Sequence, residues 1–72
     1  MTLNNLKLNE TGYVKNLRCN DSVKRRLLDL GLINGTKITP LYTSPSGDPT
    51  AFEIRGSIIA IRVEDTSLID LE

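Results

Sequence analysis

The hydrophobic residues of this chain fall into short runs separated by glycine, proline and small polar residues. In most runs the period is two. Gly12 precedes the extended run Tyr13-Val14-Lys15-Asn16-Leu17. Thr36 to Thr43 carries Ile38, Leu41 and Tyr42. Phe52 and Ile54 alternate with Glu53 and Arg55, Ile59, Ile61 and Val63 alternate next, and Ile69 and Leu71 alternate with Asp70 and Glu72. Such patterning between turn residues predicts short strands. Leu6 and Leu8 form a shorter extended lead-in. The period lengthens once. Val23, Leu27 and Leu30 recur at i, i+4 and i+7 and predict a helix of about ten residues with those three on its inner face. Asn20, Asp21 and Ser22 offer N-cap oxygens, and Gly31 suits the left-handed position that ends a helix. A helix this short is unstable alone, so it is expected to lie over one end of the sheet.

Turn chemistry fills the gaps. Asn34-Gly35 marks a tight turn, Ser44-Pro45-Ser46-Gly47-Asp48-Pro49 an exposed loop, and Glu64-Asp65-Thr66-Ser67 a further turn. Gly56-Ser57 reads as a two-residue hairpin of the glycine-first type. Pro40 has no N–H to donate, so its strand is expected to be bulged or at an edge. About five short strands with one short α-helix predict a mainly β fold, a small, partly open barrel in which closure removes most sheet edges. The expected core is Val14, Leu17, Val23, Leu27, Leu30, Ile38, Phe52, Ile54, Ile59, Ile61, Val63, Ile69 and Leu71.

The 72 residues are expected to form one domain, 1–72, and a whole gene product. A domain of this size buries only about 60% of the surface its unfolded chain exposes, which leaves no second lobe to close over a substrate. Nine basic and nine acidic residues cancel, so the basic excess of a dedicated nucleic-acid binder is missing. Three aromatics in all, Tyr13, Tyr42 and Phe52, provide little stacking surface for single strands. No basic stretch followed by an apolar one marks a secretory leader, and Ile58 to Ile61 is far too short to span a membrane. With a single cysteine there is no internal disulfide, and a cytoplasmic protein without direct membrane insertion is expected.

No histidine is present, which removes the commonest general base and the commonest transition-metal ligand. Cys19 has no histidine to activate it and reads as a small residue between strand and helix. One thiol and a pair of carboxylates at Glu64 and Asp65 predict at most weak transition-metal binding, and no cofactor. Gly47-Asp48-Pro49 lacks the lysine-serine ending and following helix of a phosphate-binding loop. No enzymatic activity is therefore expected. The one basic cluster, Lys24-Arg25-Arg26, lies on the helix. Asp21, Arg25 and Asp29 are spaced to pair across its surface. If Val23, Leu27 and Leu30 face inward, Lys24, Arg25 and Leu28 face away, and this cationic patch around a leucine is the candidate partner-binding site.

The segment Arg26-Leu27-Leu28-Asp29-Leu30-Gly31-Leu32-Ile33-Asn34-Gly35-Thr36 resembles the signature of the FeoA family: an arginine-leucine helix end, a glycine, a hydrophobic step and Pro-Gly-Thr before a strand. Pro45 with Gly47-Asp48-Pro49 is similar to the family's loop, and Glu53-Ile54-Arg55-Gly56 with Ala60-Ile61-Arg62 is similar to its hairpin. The likeness runs in order from about Leu6 to Leu71. Asn34 stands where the family usually has proline, and asparagine tolerates positive φ, so a different turn type is open. The resemblance implies an SH3-like barrel and a cytoplasmic accessory role in ferrous iron uptake. It implies the FeoB transporter, which carries its own GTPase domain, as partner. An alternative is a free-standing relative of the SH3-like module that ends iron-dependent repressors, acting in metal-responsive regulation or self-association. Any homo-oligomer is expected to be weak.

Overall fold

The computed structural model describes residues 1–72. The extended runs form strands β1 (Gly12–Leu17), β2 (Lys37–Thr43), β3 (Thr50–Ile54), β4 (Ser57–Ile61) and β5 (Ile69–Leu71). The longer period forms helix α1 (Asp21–Asp29), and a one-turn helix α2 (Val63–Thr66) precedes β5. All strand pairs are antiparallel, in the single order β4-β3-β2-β1-β5. The outer side of β5 is covered by the N-terminus, where Thr2 bridges Asp70 and the Leu71 N–H donates to the Met1 carbonyl at 2.8 Å.

Pro40 lies in β2, a middle strand, and not at an edge. The register shifts between Pro40 and Tyr42, so a bulge absorbs the missing donor. Pro40 itself is buried, and its carbonyl accepts from the Asn9 N–H at 2.6 Å.

The β3–β4 turn is offset by one residue from the expected Gly56-Ser57. Ile54 pairs with Ser57, leaving Arg55 and Gly56 as the loop with φ of 52° and 84°. Positive φ at both central positions is the primed type I′ turn, whose twist matches that of the flanking strands. At the other turn the Thr36 N–H donates to the Ile33 carbonyl at 3.0 Å, and only Gly35 takes positive φ, at 90°. That is a type II pattern, which suits asparagine or proline at the first central position.

Nine of the thirteen expected core residues are buried in one cluster: Val14, Leu17, Leu27, Ile38, Phe52, Ile54, Ile61, Ile69 and Leu71. Val23 and Ile59 pack against it half-buried. Leu30 and Val63 do not belong to it, at 44% and 53% exposure. Val63 leaves the strand pattern because β4 stops at Ile61 and Val63 opens α2, with its N–H donating to Asp48 Oδ1 at 2.9 Å. The same helix replaces most of the expected Glu64–Ser67 turn. Leu3, Cys19 and Leu32 join the core instead. Leu3 is brought there by a 3₁₀ turn, Leu3–Asn5, that begins the lead-in.

Candidate functional site: the outer face of helix α1

Helix α1 begins where the Asn20 side chain accepts the Val23 N–H at 3.0 Å, an N-cap that satisfies one orphan donor. It ends in a Schellman motif. The Gly31 N–H donates to the Leu28 carbonyl and the Leu32 N–H to the Leu27 carbonyl, both at 2.9 Å, with Gly31 at φ 96°. This geometry pairs Leu27 with Leu32 in the core and leaves Leu30 as the exposed C-cap. Gly31 is also closely approached, since a Cβ there would lie 2.8 Å from Arg55 Cδ. The inner side of the helix is thus narrow. Leu27 is its one fully buried side chain.

The opposite side presents Lys24, Arg25 and Leu28, all exposed, together lining a shallow groove of about 350 Å³ with Asp21 and Asp29. The expected pairs Asp21–Arg25 and Arg25–Asp29 are not formed. The two ion pairs in the structure are Arg18–Asp70 at 2.9 Å and Arg62–Asp48 at 3.8 Å. Lys24, Arg25 and Arg26 have no carboxylate within 4.0 Å, which is physically reasonable because an exposed helix pair gains only about 0.3–0.5 kcal/mol while immobilising two long side chains. Leu28 is 41% exposed, and Leu30 and Ile33 add apolar surface at the same end of the helix. Those two were missed in the sequence. The signal was Gly31: a glycine at C′ makes Leu32 the C″ residue that packs on Leu27, which displaces the neighbours Leu30 and Ile33 from the core.

The rest of the molecule holds little reactive chemistry. Cys19 is buried in the core, and burial, followed by nearby Asp65, pushes its thiol above the ordinary range. Its Sγ donates weakly to the Asp65 carbonyl at 3.8 Å. No three Cys, Asp or Glu side chains gather in a group able to hold a metal ion. The Ser44–Pro49 loop, with a cis Asp48–Pro49 bond, closes on itself. The Gly47 N–H donates to the Ser44 carbonyl at 2.8 Å and the Ser44 hydroxyl to the Asp48 carbonyl at 2.6 Å. No helix is long and apolar enough to cross a membrane.

Comparison with known proteins places the fold. The FeoA domain model matches residues 1–72. The chain belongs to the FeoA family. The solution structure of FeoA from Chlorobium tepidum aligns at a TM-score of 0.94 and 32% identity, over 99% of this chain and 68% of that one. FeoA of Stenotrophomonas maltophilia, solved with zinc and described as a prokaryotic SH3 domain protein, aligns at 0.87 and 25% identity over 100% of this chain and 89% of that one. A Campylobacter jejuni protein provisionally named Fe(2+) transport protein A is 27% identical over 71 residues, 99% of this chain and 96% of the relative. The mainly β, SH3-like fold implied by the FeoA resemblance is the fold observed.

Proposed function

We propose that this FeoA-family chain is a cytoplasmic accessory protein of ferrous iron uptake that acts by binding the FeoB transporter through the outer face of α1. Support comes from the family and from the names of its relatives, one an Fe(2+) transport protein A and another described as a candidate ferrous iron transport activating factor. The observation that carries the choice of face is Leu28, exposed on a helix whose cations Lys24, Arg25 and Arg26 have no carboxylate partner. Apolar contact at such a face contributes affinity, and the cations steer an acidic partner into place. The chain's role is contact, and the chemistry of transport lies in the partner.

The test is capture of detergent-solubilised FeoB by the immobilised chain, with and without guanine nucleotide. FeoB is expected to be retained in at least one nucleotide state, and Lys24→Glu with Arg25→Glu to slow association and reduce its salt dependence. Failure to retain FeoB in either state contradicts the proposal.

A further inference from the structure

A second groove lies on the other flank of Leu28, between α1 and β1. Its floor is Val14, Leu17 and Leu32, all buried, and its walls are the exposed Leu28 and Ile33. Its volume is about 240 Å³. Two lysines, Lys15 and Lys24, stand on it, and no carboxylate lines it. The position of Lys15 follows from the backbone. The β1–β5 register shifts between Val14 and Asn16, so Lys15 and Asn16 both point outward between the buried Val14 and Leu17. Bulges commonly re-aim a side chain in this way. Asp70, the register partner of Asn16, is neutralised by Arg18, whose Nε and Nη2 each donate to it at 2.9 Å.

We infer that this groove receives an extended acidic segment of a protein partner, seating one apolar side chain between Leu28 and Ile33 with flanking carboxylates on Lys15 and Lys24. The inference rests on the reading of α1 as a docking face and names the chemistry that face recognises. Charge complementarity selects the occupant: an apolar trench with two uncompensated cations favours an acidic segment and repels a basic one. Lys24 and Leu28 line both grooves, so the segment would continue directly from the outer face of the helix.

The experiment uses the ¹⁵N-labelled full chain and a ten-residue synthetic peptide with one leucine flanked by glutamates, against a counterpart with lysines in their place. The glutamate peptide is expected to shift the amide resonances of Lys15, Leu28, Leu32, Ile33 and Asn34 saturably, and the lysine peptide to leave them unmoved. Lys15→Glu, at an exposed position, should weaken the glutamate peptide and FeoB at least about tenfold. Lys37→Glu, in a separate groove with Thr39, Glu53 and Arg55, should change neither. Absent or scattered peptide shifts, or a Lys15→Glu variant that binds both as wild type does, overturns the inference. If FeoB binds and Lys15→Glu leaves that binding intact, the groove is refuted while the docking reading stands. If FeoB does not bind but the glutamate peptide still seats in the groove, the groove stands and the FeoB reading falls.

Discussion

Replacing Leu27 by alanine should be among the most damaging substitutions in α1, and replacing Leu30 should cost almost nothing. Leu27 is fully buried. Its side chain packs in the same core cluster as Leu32, and its carbonyl accepts the Leu32 N–H at 2.9 Å. Truncating a buried leucine costs about 2–5 kcal/mol, the lost transfer energy plus the cavity left behind. At about 0.05–0.15 kcal/mol per residue, a chain of this length holds roughly 4–11 kcal/mol in all. A loss near 3 kcal/mol would therefore remove a large part of its stability and lower Tm by about 12–24 °C. Leu30 is the exposed C-cap, and a substitution there should stay within about 0.5 kcal/mol of wild type. Urea denaturation followed by circular dichroism measures both, provided the m-values agree. Equal losses for the two variants would put both side chains on the inner face, as the bare helical period suggests, and would refute the Schellman-based register.

Three further outcomes follow from the same structure. Gly31→Ala should destabilise by at least about 1–2 kcal/mol from positive φ alone, plus the cost of moving Arg55. Adding Arg55→Ala should recover the second part but not the first in thermal melts. The hydrogen bond from Arg18, the largest cause, holds the Asp70 carboxyl below its ordinary range. A carboxylate lowered in the folded state contributes stability above its unfolded pKa, near 3.9, and loses it as pH falls through the folded value. Asp70→Asn should thus be less stable than wild type at pH 7, and the gap should begin to narrow only as pH falls below about 4, as read by urea melts at pH 7 and along a descending acid series. Finally, anaerobic calorimetry under reducing conditions should find no submicromolar one-to-one site for ferrous iron or zinc, because the chain has no histidine and its one thiol is buried. Such a site on the monomer would contradict this.

Much of the sheet was legible because a period of two is a direct record of which face is wet. Phe52, Ile54, Ile61, Ile69 and Leu71 could be placed from alternation, and all are buried. The helix was legible in extent but not in rotation. Val23, Leu27 and Leu30 share an arc, yet the helix stops at Asp29, Leu30 becomes its exposed C-cap, and the chain reverses at Gly31 to bring Leu32 into the core instead. That is tertiary information, only hinted at by the glycine. Val63 was misplaced for a related reason: alternation continued past Ile61, but Asp48, fifteen residues away in sequence, caps a helix there. At the candidate site, Lys24, Arg25 and Leu28 were correctly expected to be exposed, since each lies off the inner arc. Ile33 and Lys15 were not anticipated, because the trench they border exists only once β1 bulges and the chain turns at Gly31.

The most direct test of the account is the equilibrium affinity of the purified chain for FeoB in a membrane mimetic, measured for wild type and for Leu28→Asp after circular dichroism has shown the variant to be folded. Placing a carboxylate at the one apolar side chain of the outer face of α1, beside Lys24 and Arg25, should leave the fold intact and weaken FeoB binding by at least about tenfold, or 1.4 kcal/mol. A folded Leu28→Asp that binds FeoB as tightly as wild type would show that the outer face of α1 is not where this protein meets its partner.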